Sequence, residues 1–276
     1  MNNITDFKKP QKKMPPHKKR KVRKSFLAVV IVLILTVFVI LSTTVLFPVN
    51  SLSVNYKGDK YTSQQILSAS GAKTGDNFFM LSKTTTAESI CKKLPYFQSV
   101  TVQKKFPDKV VFVPKETKAA YCFKVSEGYL LTDSTLKALE ITQKADQSLS
   151  FVEGVKPQSY NLGETVVCQS ADSERYLKKI QKAAKKHGYT LNYVEINSVS
   201  DIKLRLNGRF DITLGTPKQL DEKLDFMAKM ISGIEKKSKT DKGKIDLSYF
   251  PTKKEGYFTR GELAKLGYGE KEKAKS

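Results

Sequence analysis

From position 26 to 47 the chain reads FLAVVIVLILTVFVILSTTVLF, 22 residues without a charge, a glycine or a proline. At 1.5 Å per residue a helix of that length reaches ~33 Å, enough for a hydrocarbon core of about 30 Å. A surface helix of a soluble domain keeps one polar face, and this run has none. Thr36, Ser42, Thr43 and Thr44 are tolerated because a helical hydroxyl can bond a backbone carbonyl one turn earlier. Pro48 then stops the helix. The run is therefore expected to be a single transmembrane anchor.

Flanking charge sets its expected orientation. Residues 1–25 hold ten Lys/Arg against one acid, Asp6, with Lys18, Lys19, Arg20, Lys21, Arg23 and Lys24 clustered beside the apolar run. Residues 48–62 carry only Lys57 and Lys60 as bases. The positive-inside rule puts the amino end in the cytoplasm and everything after Pro48 outside. A cleaved signal peptide would have a shorter apolar stretch of about 7–15 residues and a small-residue cleavage site. The basic cluster looks like a nucleic-acid patch in isolation, but next to an anchor it reads as an orientation signal in contact with anionic lipid.

Composition narrows the classes further. Lys and Arg number 49 against 27 Asp and Glu, a net charge of +22. Three cysteines in 276 residues exclude a disulfide-built scaffold, and two histidines leave little for a histidine-rich metal centre.

The outside portion reads as an α+β arrangement of two units and a tail. In the first, 50–115, Leu52, Val54 and Tyr56 alternate with polar residues at strand spacing. Thr62 and Gln65 form a capping box for a short helix that Gly71 ends. Thr85 and Glu88 suggest a second box, opening a helix that Pro95 closes. Strands at 97–103 and 110–113 follow, so the order is strand, helix, helix, strand, strand.

The second unit, 116–250, begins with strands at 121–123 and 129–133. A helix at 173–187 puts Tyr176, Leu177, Ile180 and Ala184 on one side. Strands at 190–197, 202–206 and 210–214 come next, the last two joined by Asn207-Gly208, a hairpin signal. Thr216, Pro217 and Gln219 suggest the start of a helix striped with Leu220, Leu224, Met227, Ile231 and Ile234. A last strand is expected over 244–250, ended by Pro251, and a flexible Lys/Glu-rich tail over 251–276.

Motifs in the first unit, taken in order, resemble the POTRA domain of the FtsQ/DivIB cell-division proteins. The family's "G-x-N-x-F" turn corresponds to Gly75, Asn77 and Phe79. Its "L-P" run corresponds to Leu94, Pro95, Val100, Val102, Lys105 and Pro107. The second unit is similar to the family's β domain, a mainly antiparallel sheet with helices. It departs in two places: Ser134-Thr135-Leu136 lacks the usual glycine after Asp133, and Phe151-Val152-Glu153-Gly154 lacks a proline.

The residues offer little for chemistry. His187 stands alone outside the basic tail, and Cys91, Cys122 and Cys168 show no C-x-x-C spacing. Cys91 reads as a core residue, while a Cys122–Cys168 bridge is open. No phosphate loop, dinucleotide fingerprint or nucleophile elbow occurs. The expectation is a protein that is not an enzyme and needs no metal or cofactor.

What remains is binding. Ile245, Asp246, Leu247, Ser248, Tyr249 and Phe250 read as a strand whose alternate residues face opposite ways, and it could be an ordinary paired strand or an edge that receives a partner. The resemblance favours the edge. It implies contact with DivIC/FtsB-like and FtsL-like membrane coiled-coil proteins through these six residues, Pro251 and the segment to 256. It also implies septal location, with a septal penicillin-binding protein as a further associate. A membrane-tethered module binding anionic wall polymer, and a surface enzyme with an unrecognised site, are the competing expectations.

Overall fold

The computed structural model describes residues 19–45, 47–198 and 201–264. It opens with helix α1 (Lys19–Val45), whose Phe26, Leu33 and Phe38 are all more than half exposed. Among the described residues no helix is long and apolar enough to cross a membrane. The anchor expected at 26–47 includes the side chains of 41–45 and all of residue 46, which lie outside the described set, as do Lys18 and the side chains of 19–24.

Next come β1 (Ser51–Val54), α2 (Ser63–Ser70), α3 (Lys83–Lys93), β2 (Phe97–Lys105) and β3 (Lys109–Glu116). The three strands form a sheet in the order β1-β3-β2. The expected element order is present, and each end has a local cause. Thr62 accepts the Gln65 amide while the Gln65 side chain accepts the Thr62 amide, and Gly71 closes α2 in the left-handed region at φ 71°. At α3 the expected cap is displaced: Ser82, not Thr85, takes the N-cap, accepting the Thr85 amide at 3.3 Å. A run of hydroxyl residues offered several caps, and the one that left Thr86 and Ile90 facing the core was used.

The chain continues through β4 (Ala119–Val125), β5 (Gly128–Asp133), β6 (Ala138–Thr142), β7 (Ser150–Glu153), β8 (Pro157–Ser159) and β9 (Val167–Cys168). After α4 (Ala171–Lys186) come β10 (Leu191–Ser198), β11 (Asp201–Leu206), β12 (Phe210–Gly215) and α5 (Leu220–Lys237). It ends with β13 (Gly243–Asp246), α6 (Phe250–Lys253) and β14 (Tyr257–Arg260).

Nine of these strands make one mixed sheet, β14-β13-β12-β11-β10-β7-β4-β5-β6, and β8 pairs with β9 separately. The pairs β12–β13, β10–β7 and β7–β4 are parallel; the other neighbours are antiparallel. Helices α4 and α5 cover one face, where Tyr121, Phe123, Val152, Val194, Leu204 and Ile212 meet Leu177, Ile180, Leu224, Met227 and Ile231. Strand alternation sends Cys122, Leu131, Phe151 and Tyr193 to the other face, where they form a smaller cluster. Cys168 belongs to the helix-covered core, so the Cys122–Cys168 bridge is not formed; Cys91, Cys122 and Cys168 are free thiols.

By spatial contact the chain divides into two units. One gathers the described residues up to Leu52 with Lys73–Leu81 and Lys104–Val110; the other holds Ser53–Ala72, Ser82–Gln103 and the described chain from Val111 on.

Three expectations about the carboxyl-terminal third are corrected. The strand expected over 244–250 stops at Asp246, and residues within the expected tail form α6 and β14. Leu247 and Phe250 are both buried while Tyr249 is exposed, a three-residue spacing that suits a helical turn rather than a strand. Pro251 therefore sits in the first turn of α6 instead of ending a strand. Likewise Thr216 and Pro217 do not start α5: the cap position falls on Gln219, in the left-handed region with no side-chain bond.

Candidate partner-binding edge

A sheet of nine strands has two rims, and among the described residues they differ. At β6 the beginning of the outer side is covered by its own chain. Ala138 donates its amide to Glu164 O at 2.9 Å, Gly163 donates to Ala138 O at 2.8 Å, and Lys137 bridges to Thr165. The rim at β14 has no strand beyond it among the described residues.

The hydrogen-bond phase of β14 follows from its neighbour. Gly243, Lys244, Ile245 and Asp246 oppose Arg260, Thr259, Phe258 and Tyr257, and one step further Gly261 donates to Lys242 O at 3.2 Å. Bonded and non-bonded pairs alternate in an antiparallel ladder. Tyr257 and Thr259 thus direct their amides to β13, and the N–H and C=O groups of Phe258 and Arg260 face outward.

Side chains fix the strand in place. Phe258 packs inward against Phe210, ring centroids 6.3 Å apart. Arg260 pairs with Asp241, and this guanidinium holds the Asp241 carboxyl below its usual range. Lys242 pairs with Glu262 at 3.0 Å. Beyond the strand, Ala264 donates to Asp211 Oδ2 at 2.8 Å and accepts from Arg205 at 2.6 Å, while Arg205 and Asp211 themselves form a two-bond pair. Gly243 permits the close approach of β14, since a Cβ there would lie 2.2 Å from Thr259 O.

The residues expected to bind a partner are divided by this geometry. Ile245, Leu247 and Phe250 are buried, at 1%, 0% and 5% exposure, and hold the core under β13 and α6. Asp246 accepts the Ser248 amide at 2.8 Å and turns the chain. Tyr249 is exposed, and Asp246, Ser248 and Pro251 are half-buried, so Tyr249 offers the most exposed side chain of the set. The strand that forms the open rim, Tyr257–Arg260, is missing from the sequence reading. Its signal was four residues, Tyr-Phe-Thr-Arg, between Gly256 and Gly261.

Elsewhere the chemistry is sparse. His187 caps α4, stacks at 6.1 Å on Tyr189 and lies 3.6 Å from Asp225 beside a groove of ≈ 860 Å³. Among the described residues no group of three His, Cys, Asp or Glu side chains is placed to hold a metal ion.

Comparison with known proteins bears on what such a rim is for. Residues 47–112 match the family model of the FtsQ-type POTRA domain. A cell division protein DivIB of Clostridium acetobutylicum is 24% identical over 198 residues, 71% of this chain and 78% of that protein. One from Clostridium botulinum is 24% identical over 83% of this chain and 91% of its own length. Both findings support the resemblance to the FtsQ/DivIB proteins. The POTRA match covers Gly75, Asn77, Phe79, Leu94, Pro95, Val100, Val102 and Pro107, and the DivIB relatives extend the likeness into the large sheet. In this chain Gly75 takes φ 96° and Asn77 Oδ1 accepts the Phe79 and Met80 amides, both at 2.9 Å. Leu94, Val100 and Val102 are core residues.

Proposed function

We infer that the chain, like the relatives it matches, is a cell-division protein. We propose that it is a non-catalytic scaffold of the division machinery. In this reading residues 26–47 cross the cytoplasmic membrane with the amino end inside, and the folded units stand outside at the septum. The apolar run and its asymmetric charge support that topology. The protein captures DivIC/FtsB-like and FtsL-like membrane partners by adding a partner strand to β14, and so supports septal wall synthesis. Confinement to one membrane raises the effective concentration of the partners toward each other.

The observation that carries the reading is the outer side of β14: the N–H and C=O groups of Phe258 and Arg260 face away from β13 and have no strand beyond them among the described residues, whereas Ala138 at the start of β6 is bonded by residues 163 and 164. Arg260→Pro tests it, because proline removes an outward donor without touching a β13 bond. Arg260→Ala controls for the lost pair with Asp241. Capture of a purified DivIC-type ectodomain is expected to weaken by about tenfold for Arg260→Pro beyond Arg260→Ala, roughly one lost hydrogen bond plus a steric cost. Equal affinities for the two variants would remove β14 from the interface.

A further inference from the structure

Residues 47–49 carry the chain out of the apolar run, and two loops clamp them. Phe47 O accepts the Phe78 amide at 2.9 Å, Val49 donates to Asp76 O at 2.8 Å, and Gly75 donates to Val49 O at 2.9 Å. The rings repeat the contact. Phe47 lies 5.2 Å from Phe79, edge to face, and 5.7 Å from Phe106. All of these residues belong to the same compact unit.

The outer rim of this cluster is bare. Phe79 is 52% exposed, Met80 79% and Phe106 70%, while Phe78 beneath them is buried. The arrangement is built in by the local chain: Asn77 takes the Phe79 and Met80 amides and turns both residues outward, and Phe106 follows the end of β2. Lys104 donates to Phe78 O at 2.6 Å with its ammonium 5.4 Å from the Phe78 ring centre. Two aromatics and a thioether facing water, with a lysine at their level, are poorly suited to solvent and well suited to a lipid boundary.

We propose that Phe79, Met80 and Phe106 seat in the headgroup–acyl boundary of the bilayer that residues 26–47 cross. The inference rests on the anchoring given under the proposed function. Phe47 is the last residue of the apolar run, so it marks the membrane surface. Rings within 5.2 and 5.7 Å of it share its depth. Continuity with the anchor favours lipid over a protein, which would have to displace lipid from that rim. Lys104 keeps its ammonium at the level of this rim by donating to the Phe78 and Phe79 carbonyls. The membrane-proximal unit is thereby held at more than one point.

The chain contains no tryptophan, so a single introduced indole reports alone. Full-length protein in phosphatidylcholine–phosphatidylglycerol vesicles is compared as Phe38→Trp within the run, Phe106→Trp or Met80→Trp at the rim, and Tyr249→Trp on the exposed β-domain surface. Quenchers are lipid brominated near the headgroup end of its chains and aqueous iodide. Lipid quenching at the rim is expected to approach that of Phe38→Trp and to exceed Tyr249→Trp several-fold. Phe38→Trp quenched by lipid with rim reporters quenched by iodide like Tyr249→Trp would overturn the inference and leave the anchor standing. Rim reporters shielded from both quenchers would overturn it in favour of contact between copies of the chain. Phe38→Trp quenched by iodide alone would end the anchoring reading and this inference together.

Discussion

Leu136 sits at φ 67°, where a residue with a Cβ is strained by roughly 1–2 kcal/mol. This is the turn at which the family usually carries a glycine after the aspartate, one of the departures visible in the sequence. Asp133 holds the turn shut: Oδ1 accepts from the Thr135 amide at 2.8 Å, the Thr135 hydroxyl at 2.6 Å and the Lys137 amide at 3.0 Å. Its other oxygen takes the Thr117 hydroxyl at 3.0 Å. The leucine is retained because its side chain is fully buried in the main core. The two effects have opposite signs, and magnitude decides between them. Leu136→Gly relieves the strain but removes a buried side chain, a loss of about 2–5 kcal/mol when a leucine is cut to alanine. A glycine also gives the unfolded chain more freedom to lose. The variant is therefore expected to be less stable by about 2 kcal/mol, read as a lower urea midpoint with unchanged slope. A gain in stability would mean that the strain outweighs the packing.

At the scale of the element, β14 depends on a glycine in its neighbour. Gly243 faces Arg260 across the ladder, and a Cβ there would also lie 2.9 Å from Arg260 Cα. Both obstructing groups are backbone, so β14 has to move rather than a side chain swing aside. Gly243→Ala is expected to lift β14 off β13, speeding hydrogen exchange of the Thr259 amide at least tenfold and weakening partner capture with it. Lys244→Ala, on the same strand, leaves both unchanged. Much of this region was readable from local pattern and some was not. Asn207 and Gly208 both take positive φ, at 54° and 62°, so the hairpin signal there reported its own backbone. Thr62 and Gln65 close a cap using only each other, and Gly71 ends the helix they open. The reading failed where a residue's place depends on distant chain. Alternation through Ile245, Leu247 and Tyr249 looked like a strand until Phe250 was drawn into the core against Phe226, ring centroids 5.0 Å apart. Four residues between glycines carry too little periodicity to announce a strand, and β14 exists because β13 offers it a ladder. The cover over the start of β6 was equally hidden, since the bonds to Lys137 and Ala138 come from residues 163–165, more than twenty positions away.

Across the whole molecule, buried phenols set the alkaline limit. Burial pushes Tyr56 up to about 12, with Glu116 beside it adding to the effect. Tyr96 is raised by burial and by its bond to Glu140 at 2.7 Å, Tyr193 by burial and by its bond to Glu153, and Tyr121 by burial alone. The four stand in different places. Tyr56 follows β1, Tyr96 precedes β2, Tyr121 lies in the main core, and Tyr193 joins β10 to β7 through Glu153. Each keeps its proton in the folded chain above the pH at which an unfolded tyrosine, near 10, releases it. Their stabilisation is therefore complete below about pH 10 and is lost as pH rises through the folded values. Lys137 and Lys223 act with the opposite sign. Burial lowers both, so the folded chain sheds their protons first and gains stability as pH approaches about 10.4, the unfolded value for lysine. Lys137 cannot move freely, since it donates to Cys91 O at 3.0 Å and Phe97 O at 2.7 Å. Burial also raises the Cys91, Cys122 and Cys168 thiols, whose stabilisation is lost from about pH 8.5 upward, and that loss offsets the gain from the two amines. The melting temperature is therefore expected to change little to about pH 10 and to fall beyond it as the phenols titrate. Thermal melts of the full chain alongside tyrosinate absorbance check this. Tyr121→Phe separates the core ring from the rest: its hydroxyl is buried without a hydrogen-bond partner among the described residues. The variant is expected to be more stable by about 1 kcal/mol at neutral pH, because an unsatisfied polar group leaves the core. It should also fall less steeply above pH 10, having one fewer proton linked to folding. An unchanged alkaline slope in Tyr121→Phe would mean that water reaches that ring in the folded chain.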